Sequence, residues 1–250
     1  MKKLINALKK IAIVVTLFST SAFSDILSVH CPLACPESPP KNDLIFAHIY
    51  ALSNNPITKF ADWVAYEVNP INFGPSTGRI WKTDPLLSDN ETLEANDYKG
   101  ANSSVLEADR GHQAPLASFA GSQYWYEVNY LSNITPQDKD LNQGAWKNLE
   151  DAIRDSSSYK KPLYVITGPL FTKKMPDLPK ADESHVIPSG YFKIVYDQSG
   201  ATAFVMQQNS NRKDNYCLKK LPVSSIQALV NFQLPNLQPS KEVSNRLGCN

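Results

Sequence analysis

The sequence lacks an overall basic charge, since its 250 residues carry 25 lysines and arginines against 24 acidic residues. Four of those lysines lie within residues 1–24, which contain no acidic residue, so the rest of the chain has a net charge of −3. Proteins that bind nucleic acid without sequence preference usually present a basic surface, because phosphate contacts supply most of the binding energy. The composition therefore argues against binding through an overall positive field, and any phosphate site has to be local.

Long hydrophobic runs are also missing. The apolar run at 11–18 is far shorter than the roughly 20 residues needed to cross a bilayer. Lysines precede it and Ala22-Phe23-Ser24 follows it, a pattern typical of a secretory signal peptide cleaved before Asp25. We therefore expect a secreted protein, periplasmic or extracellular, with no membrane anchor in its mature form.

Glycine/serine-rich linkers and internal repeats are absent as well. Residues 25–250 are enough to form one sizeable hydrophobic core, so we predict a single domain over that range.

Cysteine is scarce, with four residues that all follow the predicted signal peptide. An even number in an exported chain favours disulfides, and the simplest pairing joins Cys31 to Cys35 and Cys217 to Cys249. A zinc site is the alternative, but the spacing in CPLAC has no second close pair that would complete four ligands.

Segments rich in β-branched and aromatic residues, together with one clear helical pattern, predict an α+β fold with a mainly antiparallel sheet and flanking helices. Helices are predicted at 141–154 and 224–232, and loops at 70–104 and 173–185. The predicted strands are 44–52, 63–68, 124–130, 163–167, 186–187 with 191–196, and 203–206.

The segment Asp109-Arg110-Gly111-His112 combines two residue types suited to phosphodiester hydrolysis. Neutral imidazole can take a proton from water near neutral pH, and guanidinium presents a fork of donors that matches phosphate oxygens. Gly111 would let the backbone bend so that both side chains reach one ligand. Taken alone, the tetrapeptide is equally compatible with an ordinary half-buried histidine beside a surface arginine.

The predicted helix 141–154 carries a second group of polar residues. Helical geometry allows Asn142, Glu150 and Arg154 to share one flank, with Trp146 between them. An amide oxygen from Asn142 suits Mg²⁺, Glu150 could hold a metal-bound water, and Arg154 could meet phosphate. A solvated face with a Glu150–Arg154 ion pair is the alternative that needs no function.

Three blocks of sequence resemble the Serratia-type DNA/RNA non-specific endonucleases: DRGHQAPLAS at 109–118, NYLSNITPQ at 129–137 and LNQGAW at 141–146. The similarity extends to TKFADWVAYEV at 58–68, GRIWKTDP at 78–85, YVITGPL at 164–170 and HVIPSGYFK at 185–193. The resemblance implies a ββα-metal nuclease core. It implies that His112 is the general base, that Asn142 is the direct metal ligand, and that Glu150 binds a metal-bound water.

The resemblance also implies roles in phosphate contact and transition-state charge for Arg79, Arg110 and Arg154. Asn133 matches a polar residue beside the histidine. Mg²⁺ is the implied ion, and Mn²⁺ also suits an oxygen-rich site. The same two disulfides are implied. The chain departs from the family pattern in the N-terminal lead-in and at 69–77, 155–161 and 209–250, which puts the groove shape, the balance between DNA and RNA, and any dimer surface in doubt.

Three histidines, His30, His48 and His185, match no catalytic position and are interpreted as structural or exposed. We also assign no site role to the tryptophans, because strand and helix aromatics are more often in the core. The predicted activity is endonucleolytic cleavage of DNA and RNA to 5′-phosphorylated fragments. Two alternatives are a secreted nucleic-acid-binding protein without turnover and a metal-dependent phosphoesterase of small nucleotides. The sequence leaves both a monomer and a homodimer open.

Overall fold

A seven-stranded antiparallel sheet forms the centre of the protein. The computed structural model describes residues 25–250, so the predicted signal peptide lies outside the described residues. Its strands are β1 (Asp43–Phe46), β2 (Ala51–Asn55), β3 (Phe60–Val68), β6 (Leu163–Leu170), β7 (Gly190–Asp197), β8 (Gly200–Gln207) and β9 (Lys220–Leu221). They lie in the order β1-β2-β3-β6-β7-β8-β9 across the sheet.

Two further strands, β4 (Ala108–His112) and β5 (Ile134–Asp138), form a separate antiparallel pair. The helices are α1 (Lys139–Leu141), α2 (Lys147–Ser156), α3 (Val223–Gln227) and α4 (Lys241–Arg246), with a wide π-helical turn, Asn142–Trp146, joining α1 to α2. Strand β5 leads directly into α1, so β4, β5 and the α1–α2 helix are the ββα unit of this α+β fold. Among the described residues, no helix is both long enough and apolar enough to cross a membrane.

The predicted strands at 63–68, 163–167, 191–196 and 203–206 are confirmed as parts of β3, β6, β7 and β8. The single strand predicted at 44–52 is two strands joined by a turn, with Ala47 N–H donating to Tyr50 O at 2.9 Å. Residues 186–187 are not a strand. Pro188 follows them, lacks a backbone N–H for the ladder, and delays the start of β7 to Gly190.

The strand predicted at 124–130 is wrong. This segment is a 3₁₀ helix, Trp125–Asn129, with Glu127 N–H bonded to Tyr124 O and Tyr130 N–H bonded to Glu127 O. Its aromatic residues suggested a sheet, but strand preference reflects packing on a pleated surface rather than an intrinsic backbone preference. Here Tyr124 instead stacks on His48, with ring centroids 3.6 Å apart.

Both faces of the central sheet are covered. One face packs against the α1–α2 helix through Leu141, Trp146, Leu149 and Ile153, all of them buried. The other face carries a second cluster that includes Trp63, Phe192 and Ile226. Helix α2 is therefore fixed against the middle of the sheet, and its opposite flank is free to line a surface cleft.

The predicted helix at 141–154 is confirmed, although it is interrupted. Gly144 departs from helical geometry at φ −112° and ψ −116°, and a Cβ on it would lie 2.4 Å from Arg212 O. The loop that contains Arg212 therefore sits directly on the helix, which leaves room only for glycine. The helix predicted at 224–232 is shorter than expected, because α3 ends at Gln227.

The predicted disulfide pairing is confirmed, with bonds Cys31–Cys35 and Cys217–Cys249. Their sequence separations are 4 and 32 residues. In the chain-entropy account the stabilisation grows with the length of the closed loop, which gives about 2 kcal/mol for the short loop and about 4 kcal/mol for the long one.

Replacing Cys217 and Cys249 together with serine should therefore lower the free energy of unfolding by more than replacing Cys31 and Cys35 together. Urea unfolding of both double variants beside the wild type measures this difference. Equal losses from the two pairs would contradict the loop-length argument.

Candidate active site

Strand geometry, rather than a bend, brings Arg110 and His112 to one site. Both residues belong to β4, two positions apart, so their side chains project from the same face. Gly111 between them is not a turn residue, which corrects the role expected from the sequence. It is buried on the opposite face, where a Cβ would lie 2.6 Å from Gln137 Oε1.

The imidazole of His112 has a defined hydrogen-bond partner. Its Nε2 lies 3.0 Å from Oδ1 of the fully buried Asn129, the last residue of the 3₁₀ helix Trp125–Asn129. An amide oxygen only accepts, so the ring proton belongs on Nε2 and Nδ1 carries the free lone pair. Among the hydrogen bonds of the described residues, Nδ1 takes part in none.

The surroundings of His112 favour the neutral ring. Burial, opposed by the hydrogen bond to Asn129 and assisted by the positive charge of Arg79, lowers the pKa of His112 from 6.5 to about 4. Trp81 covers the ring, with centroids 5.3 Å apart. The imidazole is therefore unprotonated, and able to accept a proton, throughout the neutral range.

If His112 is the base, activity requires its neutral form, so the acid limb of kcat/KM should fall near pH 4 rather than near 6.5. The charge of Arg79 lowers this pKa, so Arg79→Gln should move the limb to higher pH, independently of any loss in rate. The hydrogen bond with Asn129 raises the pKa of His112, so Asn129→Ala should move the acid limb to lower pH. Initial rates across the acid range, with circular dichroism to establish that each variant stays folded, measure the limb. An unchanged limb in both variants would contradict the assignment.

Arg110 is held by its neighbours at the back of the site. Its Nη2 donates to Ala95 O at 2.8 Å, and its guanidinium carbon lies 5.5 Å from the Trp81 ring centroid and 5.2 Å from that of Tyr98. These contacts between cation and ring fix the plane of the guanidinium. The group is therefore already oriented before any phosphate arrives.

Asn142 faces β4 from the first turn of the interrupted helix. Its Nδ2 donates to Asp109 Oδ2 at 2.9 Å, and Gln143 Nε2 donates to the same oxygen at 2.7 Å. An ionised carboxylate only accepts, so Asp109 turns the amide nitrogen toward itself. Oδ1 of Asn142 is therefore turned away from Asp109, and Asp109 orients the side chain that is predicted to bind the metal.

Glu150 and Arg154 lie further along the helix, in α2. The Glu150–Arg154 ion pair that was the alternative without a function does not form, since Arg154 binds Asp151 while Glu150 Oε1 lies 3.4 Å from Lys193 Nζ. Burial raises the pKa of Glu150, and the positive charges of Lys193 and Arg154 oppose that rise. Asn142 and Glu150 offer the oxygen donors that a hard cation such as Mg²⁺ prefers.

Most of the predicted site residues line one open cleft of about 920 Å³. Its lining includes six cationic residues and only three carboxylates, so the cleft is positive although the chain beyond residue 24 is negative. The predicted residues in the lining are Arg79, Arg110, His112, Asn142, Glu150 and Arg154.

Asn133 is the predicted site residue that does not line the cleft. It is fully buried, its Oδ1 accepts from Ala114 N–H at 2.8 Å, and its Nδ2 donates to Ala114 O and Val128 O. Its side chain therefore holds together the two segments that follow His112 and precede Asn129. In this structure the direct side-chain partner of His112 is Asn129.

Comparison with known proteins agrees with this geometry. The model of the DNA/RNA non-specific endonuclease family matches residues 35–241. The chain belongs to this family. The Serratia marcescens protein named Nuclease is 42% identical over 232 residues, which are 88% of this chain and 85% of that protein.

Some of the more distant relatives of this endonuclease are mitochondrial. Human mitochondrial Endonuclease G is 28% identical over 198 residues, which are 74% of this chain and 63% of that protein. A solved structure, described as an EndoG/EndoGI complex that explains EndoG inhibition, aligns with a TM-score of 0.67 at 20% identity. The alignment covers 81% of this chain and 88% of that chain, which supports the shared fold.

The structure adds several residues to the site of this endonuclease that sequence reasoning did not select. Trp81, which we expected to be only structural, lies against both His112 and Arg110. The NYLSN block did indicate a polar partner for the histidine, but its first asparagine, Asn129, makes the contact rather than its last. Other cleft-lining cations are Lys99, Lys147 and Arg212.

A separate acidic cluster includes residues on either side of Ala95, whose carbonyl oxygen accepts a hydrogen bond from Arg110. Glu94, Asp97, Asp182 and Glu183 each offer a carboxylate oxygen, and these oxygens lie within 4.8 Å of one another. Burial and the neighbouring carboxyl groups raise the pKa of Glu94 to about 7. None of the four lines the cleft, so the cluster is distinct from the predicted metal site at Asn142 and Glu150.

Proposed function

We propose that this protein is a secreted, metal-dependent endonuclease that hydrolyses phosphodiester bonds in both DNA and RNA and leaves 5′-phosphates. One observation carries the proposal. A histidine with a free Nδ1 lines the same positive cleft as an oriented amide oxygen, a carboxylate and several arginines. The residues that we propose as general base, metal ligand and phosphate donors thus line one cleft.

In the proposed reaction, Nδ1 of His112 takes a proton from water as the water oxygen attacks phosphorus. The new P–O bond forms opposite the 3′ oxygen, and the bond from phosphorus to that oxygen breaks. The departing 3′ oxygen takes a proton from solvent, so the products are a 5′-phosphate and a 3′-hydroxyl, and His112 then returns its proton to solvent. Asn129 keeps the proton on Nε2, so that the free nitrogen is the one available to the water.

The residues that would hold a metal are Asn142 through Oδ1 and Glu150 through a water. A bound Mg²⁺ would supply charge neutralisation at the phosphate, and Mn²⁺ would also suit these oxygen donors. Asp109 contributes by presenting the oxygen of Asn142 rather than its amide nitrogen.

Arg79, Arg110 and Arg154 would stabilise the negative charge that builds up on the phosphate in the transition state. Removing one such donor commonly costs about 10²-fold or more in rate. Asn133 would act indirectly, because its side chain joins the segment after His112, at Ala114, to the segment before Asn129, at Val128. Contacts to phosphate rather than to base edges carry no sequence information, which accounts for weak sequence preference.

Secretion is proposed from the N-terminal sequence together with the two disulfides. Disulfides persist in oxidising compartments such as the periplasm or the extracellular medium.

The test is fragmentation of circular plasmid DNA and of single-stranded RNA by the protein that begins at Asp25, with Mg²⁺, with chelator, and with Mg²⁺ restored. We expect internal cutting of both polymers that stops with chelator and returns with the ion. End-labelling with and without prior phosphatase treatment identifies the phosphorylated end.

Two alternatives predict different results. A nucleic-acid-binding protein without turnover would retard both polymers on a gel and cut neither. A phosphoesterase of small nucleotides would release phosphate from mononucleotides and leave the plasmid closed. Either result, obtained with disulfides intact, would overturn the proposed function.

A further inference from the structure

A lysine lies in the core directly beneath the candidate site. Lys193 is on β7, an interior strand of the sheet, where it pairs with Thr167 of β6 and Phe204 of β8. Its side chain is fully buried. An ionised amine removed from water is costly unless a counter-charge and hydrogen bonds compensate, so a lysine in this position needs a specific explanation.

The surroundings of its ammonium group identify its partner. Nζ lies 3.4 Å from Glu150 Oε1, 3.3 Å from Tyr66 Oη and 4.3 Å from the Trp146 ring centroid. Glu150 is its only ion-pair partner within residues 25–250. The positive charge in the core is therefore directed at one carboxylate, and that carboxylate also lines the cleft.

The contact with Lys193 makes the two carboxylate oxygens of Glu150 inequivalent. Oε1 is taken by Lys193, whereas Oε2 makes no hydrogen bond with any described residue, and the side chain is 12% exposed. Arg154, one turn away on α2, is paired with Asp151 instead. Lys193 is thus the group that fixes the Glu150 carboxylate from the side of the sheet.

We propose that Lys193 is a positioning residue whose buried ammonium holds the Glu150 carboxylate in the orientation that serves the metal and its water. This inference rests on the proposed function. Lys193 has no exposed surface with which to touch substrate, so its effect has to pass through Glu150. A merely structural ion pair explains the position less well, because replacing buried pairs with apolar residues is often neutral or even stabilising.

The experiment is a double-mutant cycle between Lys193→Met and Glu150→Gln, with kcat and KM measured on plasmid DNA. Lys193→Met should lower kcat on the order of tenfold, with KM little changed. In the Glu150→Gln background the same substitution should cost almost nothing further, because the carboxylate that it positions is already gone. Losses that multiply independently in the double variant, or a change confined to KM, would overturn the proposal.

A second readout does not depend on turnover. Titration with Mn²⁺, followed by its electron paramagnetic resonance signal, should give weaker binding in Lys193→Met than in wild type. The two proteins should differ little once both carry Glu150→Gln. If the wild type binds Mn²⁺ but does not cut plasmid, the proposed function fails while the Lys193–Glu150 coupling is still tested. Equal Mn²⁺ affinity in wild type and Lys193→Met would overturn the coupling.

Tyr66→Phe is the matched control. It removes the other hydrogen-bond partner of Nζ from the same core site but leaves the charge and Glu150 in place. We expect nearly wild-type kcat and Mn²⁺ affinity, whereas an effect as large as that of Lys193→Met would assign both losses to core damage and overturn the proposal. If Lys193→Met alone does not fold, Lys193→Gln replaces it in both the single and the double variant of the cycle. The double variant Lys193→Gln/Glu150→Gln contains neither buried charge, so it is not destabilised by an unpaired ion.

Discussion

His112→Ala should lower the rate of plasmid cleavage on the order of 10²- to 10⁴-fold, the range typical for loss of a general base. The imidazole is the neutral group in the cleft whose free nitrogen can accept a proton from water. Because His112 is not among the proposed metal ligands, Mn²⁺ affinity should stay close to that of the wild type. Single-turnover cleavage with saturating metal, beside Mn²⁺ titration, separates the two effects.

His185→Ala is the matched control for this substitution. His185 is also half-buried and hydrogen-bonded, with its Nε2 accepting from Leu178 N–H at 3.1 Å, but it does not line the cleft. Its removal should leave kcat unchanged. Added imidazole should partly restore cleavage by His112→Gly, because a free base can occupy the vacated space. Wild-type cleavage by a folded His112→Ala protein would remove the histidine from the mechanism.

Asn142→Ala should have the second large effect, through the metal rather than the base. The amide oxygen is the proposed direct ligand, so both the affinity for Mg²⁺ and the rate at saturating Mg²⁺ should fall. Changing a residue that supports a metal ligand typically costs about 10- to 100-fold in affinity or activity, and we expect a loss of this order for Asp109→Asn. The loss in Asn142→Ala should be larger, because the ligand itself is removed. Calorimetric titration of metal and the metal dependence of cleavage measure both quantities.

The contact between Asp109 and Asn142 allows a sharper test. Asn142→Asp alone would place two carboxylates at hydrogen-bond distance, where their repulsion should weaken metal binding or move the side chain. Adding Asp109→Asn exchanges donor and acceptor, so the exchanged pair should recover part of the lost activity. No recovery in a folded double variant would mean that Asp109 does not orient the ligand.

The residue types and local spacing of the site could be predicted from the sequence, because they depend on short segments. Arg110 and His112 are two residues apart, and Asn142, Glu150 and Arg154 belong to one helix, so both groups could be proposed before any fold was known. The matching blocks extended these groups to Arg79. The segment 124–130 was mispredicted because its aromatic residues fit a strand equally well, whereas in the fold Tyr124 stacks on His48 and the helix that follows it buries Glu127, Val128 and Asn129.

By itself, the sequence was enough to predict the family, the disulfide pairing, the long strands of the central sheet and six of the residues that line the cleft. Tertiary structure decided which groups control those residues. The hydrogen bond from Asn142 to Asp109 joins positions 33 apart in sequence, and the pair of Lys193 with Glu150 joins positions 43 apart. Sequence periodicity reports which face of one element is buried, whereas these contacts depend on how β4 and the central sheet are placed against the helix. The sequence does not distinguish a buried lysine such as Lys193 from an exposed one, because burial depends on the residues that the fold places around it.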